Sequence, residues 1–209
     1  MNSILFAIGW ALVGGAAGWL VRWGSVRLAV LEELDPGHRP WQVFGPSILA
    51  VLVFGAFAFH FGMTPTLFIR SVFILVLVQV IFFDFEHRLI LDRVIFPATA
   101  LALLVSLFGQ PWWAGIASGV GAGLLFLLLA LAGSAILKAE ALGFGDVKLA
   151  AFMGLLLGPL PTIQAVFYGV FMAGVVSIAM IVWRRSLKGT LAYGPYLAAG
   201  ALIVLYLLP

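Results

Sequence analysis

Asp84 and Asp146 are the residues around which a reaction could be built. Asp84 follows a run, Val72 to Phe83, that is apolar apart from Gln79, and Asp146 closes Gly143-Phe144-Gly145-Asp146 between two long apolar stretches. An acid at the edge of a hydrocarbon phase is costly and usually faces a bundle interior or a polar cavity. Two carboxylates brought to one site cannot both ionise cheaply, so one keeps a proton while the other stays charged. The charged member takes a proton from water as it attacks a carbonyl. The protonated member polarises that carbonyl and later protonates the leaving amine. Such a pair hydrolyses a peptide bond, and its two pKa values belong to the pair.

For acids 62 positions apart to meet, the chain must return both to one membrane face. Of its 209 residues, 64 % are hydrophobic and 9 % charged, with a mean hydropathy of +1.20. That excludes a soluble globular domain, whose charged fraction is about 25 %. The fold class expected is all-α, a polytopic transmembrane helical bundle forming one membrane domain over 1–209. A helix needs about 20 apolar residues to cross the hydrocarbon. On that basis eight spans are expected near 3–21, 44–62, 66–83, 94–109, 112–137, 147–160, 162–183 and 192–208. The sixth is the shortest and starts at or inside the Gly-x-Gly-Asp stretch. No Lys or Arg precedes the apolar run at the N-terminus, which is therefore read as a retained span and not a cleaved signal.

The charges orient these spans, because loops on the inner side are enriched in Lys and Arg. With both termini outside, Arg22, Arg27, Arg39, Arg88, Arg93, Lys138, Lys148, Arg184, Arg185 and Lys188 fall inside, and Arg70 alone falls outside. The acids Glu32, Glu33, Asp35, Asp84, Glu86, Asp92, Glu140 and Asp146 share that inner side. The longest polar stretch is a first cytoplasmic loop over 22–45, turned by Pro36-Gly37, while the outer turns near Gly62, Gly109 and Gly158 are short. The net charge of +3 is a loop property, and no basic stripe points to nucleic acid.

The remaining candidates are secondary. Asp92 is read as a loop acid or a partner of Arg88. Lys148 is an interfacial lysine or a charge that tunes Asp146. Glu86 and His87 are read first as water-facing, with steering of a substrate's basic segment as the alternative. Gly143 and Gly145 are expected to supply positive φ and a close backbone approach beside Asp146, or else simply a tight turn that opens the next helix. Gly14, Gly18, Gly115, Gly119 and Gly123 recur at four-residue spacing as helix-packing positions. Zero cysteines leave no thiolate metal site, and no metal site is expected from His38 and His60.

Three motifs in order give the chain its resemblance. Gly143-Phe144-Gly145-Asp146-Val147-Lys148-Leu149 is similar to the second active-site motif of the type IV prepilin peptidases, which share Gly-x-Gly-Asp with the presenilins. Asp84, then Glu86-His87-Arg88, Ile90-Leu91-Asp92 and Pro97 resemble the first motif, with Leu91 where Pro is usual. Tyr193-Gly194-Pro195-Tyr196-Leu197-Ala198 looks like the family's C-terminal aromatic-Gly-Pro-aromatic segment. The resemblance implies a membrane aspartyl endopeptidase of the bacterial inner membrane, its active site facing the cytoplasm. It would remove the short basic leader of a prepilin or pseudopilin-like precursor, with Asp84 and Asp146 catalytic and Gly143, Gly145, Lys148 and Asp92 supporting. No cofactor is implied for cleavage. S-adenosylmethionine is implied only where methyltransferase activity persists, and the first loop lacks the cysteine pairs of bifunctional members, with Trp19 and Arg22 standing where Ser and Asn belong. The acids alone leave two other classes open: a magnesium-dependent phospho-group transferase acting on a lipid carrier, and a transporter or assembly scaffold with a proton or cation path.

Overall fold

A long apolar segment in lipid must satisfy its own backbone polar groups, which an α-helix does internally. The computed structural model describes residues 2–137, 142–184 and 192–208. Within them lie eight helices: α1 (Asn2–Leu31), α2 (Pro40–Phe61), α3 (Pro65–His87), α4 (Asp92–Ser106), α5 (Trp113–Leu137), α6 (Phe144–Leu157), α7 (Pro159–Arg184) and α8 (Gly194–Leu207). There are no strands among the described residues. Five helices, α1, α2, α3, α5 and α7, are long and apolar enough to cross a membrane, whereas α4, α6 and α8 have only 14 or 15 residues. Lys138, Glu140, Arg185 and Lys188, counted above among the inner-side charges, lie outside the described residues.

The chain forms two compact units, Met1–Arg88 and Leu89–Pro209. In the first, α1 and α2 are an antiparallel pair held close by glycine. A Cβ on Gly14 would lie 2.6 Å from the Ala50 carbonyl oxygen, and one on Gly18 would lie 2.6 Å from Ser47 Cα, so only hydrogen fits. Helix α1 departs from expectation by running ten residues past position 21, into the stretch read as loop. The polar residues there have partners that depend on the fold. Ser25 Oγ donates to Gln79 Oε1 at 2.6 Å, and Arg22 Nη2 donates to the carbonyls of Pro36 and Gly37. Arg70, the one base expected on the outer side, is buried with its guanidinium over the Phe61 ring.

In the second unit the same device joins α5 to α6. Gly115, Gly119 and Gly123 face Leu155 and Ala151, and a Cβ on Gly154 would sit 2.5 Å from the Ser118 carbonyl oxygen. Helices α7 and α8 meet at Gly169 and Gly200, and the Tyr193-Gly194-Pro195 segment opens α8 with Gly194, Pro195, Leu197 and Ala198 buried. The turns at Gly62 and Gly158 are as short as expected. Gly62, at φ 62, ends α2, and the Thr64 hydroxyl caps α3 by accepting from the Leu67 N–H. Gly158, at φ 78, is the whole connection between α6 and α7.

Candidate active site

Asp84 lies in α3, three residues before its last, His87. The apolar run predicts a span ending at Phe83, but the helix continues one further turn and its carbonyl ladder closes at Asp84. The Asp84 carbonyl accepts the Arg88 N–H at 2.8 Å, and Arg88 takes the left-handed conformation that stops the helix. The side chain is buried, with 5 % exposure, rather than sitting in an open loop.

Asp146 is the third residue of α6, which begins inside the Gly-x-Gly-Asp motif as one reading of the sequence expected. Gly143 is the N-cap: its carbonyl accepts the Asp146 N–H at 3.1 Å, and its own N–H donates to the Asp146 carboxylate. This is the acid half of a capping box, placed in the first turn where the helix dipole favours negative charge. Asp146 precedes the apolar segment 147–160 and is half-buried. Burial pushes its carboxyl up to about 6, against the Gly143 N–H, which pulls it down.

The motif's glycines do not work as expected. Gly143 is extended at φ −75, and neither it nor Gly145 has positive φ; among the described residues, the positive-φ glycines are Gly37, Gly62 and Gly158. What Gly145 supplies is room. A Cβ there would lie 3.0 Å from Ile90 Cβ, so the turn carrying Asp146 rests directly on the segment before α4. That segment also holds the motif's two supporting charges together. Lys148 Nζ donates to Asp92 Oδ1 at 2.5 Å and lies over the Phe96 ring, 5.1 Å from its centre. Lys148 therefore pairs with Asp92, which opens α4 with Leu91 as N-cap, and Pro97 lies inside α4 and not at its start.

Around Glu86 the water-facing reading fails. Its side chain is only 8 % exposed, with Oε2 3.5 Å from Arg22 Nη1 and Oε1 3.6 Å from His87 Nε2. Asp35-Pro36-Gly37 folds over it as a turn in which Gly37, at φ 64, donates to Asp35 Oδ1. Arg22 and Asp35 were not singled out as site residues from sequence. The Pro-Gly turn was the one available sign, because a left-handed glycine permits the close approach to Glu86. Asp84 and Glu86 belong to the first unit and Asp92, Gly143, Gly145, Asp146 and Lys148 to the second.

Two comparisons find proteins similar to this chain. The model of the type IV leader peptidase family matches residues 71–178, a segment that includes both aspartates, Asp92 and Lys148. The chain is also 31 % identical over 172 residues to the prepilin leader peptidase/N-methyltransferase of Bacillus subtilis (strain 168). That alignment covers 80 % of this chain and 67 % of the relative. No solved structure matches.

Proposed function

The chain belongs to the type IV leader peptidase family, and from that premise we infer how it works as an aspartic-type peptidase that cleaves prepilin leader peptides. Asp84 and Asp146 are the catalytic pair and share one proton, as two carboxylates at one site must. The ionised member deprotonates water for attack on the scissile carbonyl. The protonated member hydrogen-bonds the carbonyl oxygen and then protonates the departing amine, so water is consumed and no covalent intermediate forms. The raised carboxyl of Asp146 supports a role in holding that proton near neutral pH. Gly143 supports it through the cap that fixes the carboxylate, and Gly145 supports it through the close seat on Ile90. The Asp92–Lys148 pair joins the same turn to α4.

The substrate is a prepilin or pseudopilin-like precursor, whose apolar helix enters from the lipid while its basic leader lies at the inner face. The peptidase sits in the cytoplasmic membrane, with the site on the cytoplasmic side and both termini outside. Cleavage uses no cofactor. Methylation of the new N-terminus is not part of this reading, because positions 22–45 offer no cysteine. The observation that carries the assignment is that both acids lie in the matched segment, each within one turn of a helix end.

The test is incubation of the purified protein with a prepilin, followed by mass analysis with and without S-adenosylmethionine. The parent is expected to release the leader, whereas Asp84→Asn and Asp146→Asn insert into membranes and release none. Full processing by either variant would remove that residue from the pair. A product heavier by one methyl group only when the donor is present would show that the protein also methylates.

A further inference from the structure

Behind the helix end that carries Asp84 lies a cavity of about 590 Å³, bounded by the 35–39 connection, the start of α2 and the end of α3. Its volume falls within the range of small-ligand pockets, about 300–1,000 Å³. Glu86 lines it. Its side chain is 8 % exposed, and its Oε1 accepts no hydrogen bond among the described residues, the nearest ring nitrogen, His87 Nε2, standing 3.6 Å away. Arg22, the cation behind it, commits Nη2 to the Pro36 and Gly37 carbonyls and stands 3.5 Å from the other oxygen, Oε2. A buried carboxylate oxygen without a donor is expensive unless something brings one.

The rest of the lining fits a donor of a particular kind. Asp35 adds a second acid, and Trp41 and Phe85 present partly exposed aromatic rings. Acids joined to aromatic faces bind cations, through charge-assisted hydrogen bonds on one side and the ring quadrupole on the other. His38 and Arg39 complete the wall, and both are exposed to solvent, where charge is screened. The long stem of a lysine or arginine would lie along the rings while its head reaches Glu86.

We propose that this cavity is a specificity subsite that takes a lysine or arginine side chain of the peptide substrate, with Glu86 as its anion and Asp35, Trp41 and Phe85 as its walls. The proposal rests on the peptidase reading for the identity of that peptide. It adds a determinant separate from the two catalytic aspartates.

The test measures binding without turnover. A fluorescent, N-acetylated peptide with two lysines, and its twin with glutamine at both, are titrated into the full-length protein. The protein is held in nanodiscs of phosphatidylcholine and phosphatidylglycerol, and anisotropy is the readout. The parent is expected to bind the lysine peptide about tenfold more tightly than its twin. Glu86→Gln, which keeps the side chain's shape, should lose that tenfold preference and leave the twin's affinity unchanged. Equal weakening of both peptides would make Glu86 structural and overturn the proposal, as would an unchanged preference. If Glu86→Gln does not fold, Asp35→Asn and Trp41→Leu, at exposed positions, should each reduce the preference at least threefold, and no reduction in either would overturn it. Loss of lysine-peptide binding when phosphatidylethanolamine is added to the discs would assign the cavity to a lipid amine and overturn the peptide reading. A parent that prefers the lysine peptide yet cleaves no prepilin would refute the proposed function and leave the subsite standing.

Discussion

Replacing Asp146 by Asn should make the protein more stable at neutral pH and no more stable in acid. The ordinary aspartate value is 3.8, and burial at the start of α6 pushes the Asp146 carboxyl up to about 6. Between those values the folded state holds a proton that the unfolded state has released, so stability falls as pH rises. Below 3.8 both states are protonated and the acid contributes no pH dependence; above about 6 both are ionised and the loss is complete. At about 1.4 kcal/mol for each pH unit, the gap between 3.8 and about 6 comes to about 3 kcal/mol as a ceiling. Asn keeps an oxygen to accept the Gly143 N–H and carries no charge to desolvate. The assay is equilibrium unfolding of parent and Asp146→Asn in mixed micelles from pH 4 to pH 7.5. Titrating groups that do not interact with Asp146 cancel in the difference, which should open from near zero at pH 4 to about 2–3 kcal/mol in favour of Asn at pH 7.5. Parallel curves across that window, or a variant less stable at pH 7.5, would refute the claim that Asp146 is held in a site hostile to its charge.

Other outcomes follow from the same geometry. Gly154→Ala places a Cβ 2.5 Å from the Ser118 carbonyl oxygen and 2.6 Å from Gly119 backbone, atoms that cannot swing aside. It should cost about 3 kcal/mol in the same unfolding assay, at the upper end of overpacking penalties. Lys148→Met should cost about 1 kcal/mol or less, because the pair with Asp92 is largely exposed; a loss of several kcal/mol would show that the pair is more than a surface contact. Prepilin cleavage should continue at the parent rate after dialysis against a chelator, and restoration by magnesium of a lost rate would refute the reading without a cofactor.

Much of the architecture was legible because lipid imposes a simple rule. Long apolar runs interrupted by glycine and proline turns gave the helix order, and the acids after Phe83 and beside Gly145 marked two helix ends. The four-residue glycine spacing in α1 and α5 reads correctly as packing, since a Cβ at Gly14, Gly18, Gly115 or Gly119 would come within 3.0 Å of the facing element and one at Gly123 would lie 3.2 Å from Ala151. The misreadings share one cause. By type Arg22, Ser25 and Glu86 read as loop or water-facing residues, but each is buried or half-buried against partners 14 to 64 positions away. Partners so distant leave no local trace. Gly145 was misread for a related reason. Its need for space comes from Ile90, 55 positions earlier, whereas positive φ is a property that sequence analysis looks for in any glycine.

The one-residue joint at Gly158 has a mechanical consequence. With a single residue between α6 and α7, a piston movement of α6 along its axis must carry the start of α7 with it, and Asp146 sits at the other end of α6. A flexible insert of several residues after Gly158 would uncouple the two rods while leaving every side chain near the acid in place. Such an insert separates the carboxylate's chemistry from the stiffness that aims it.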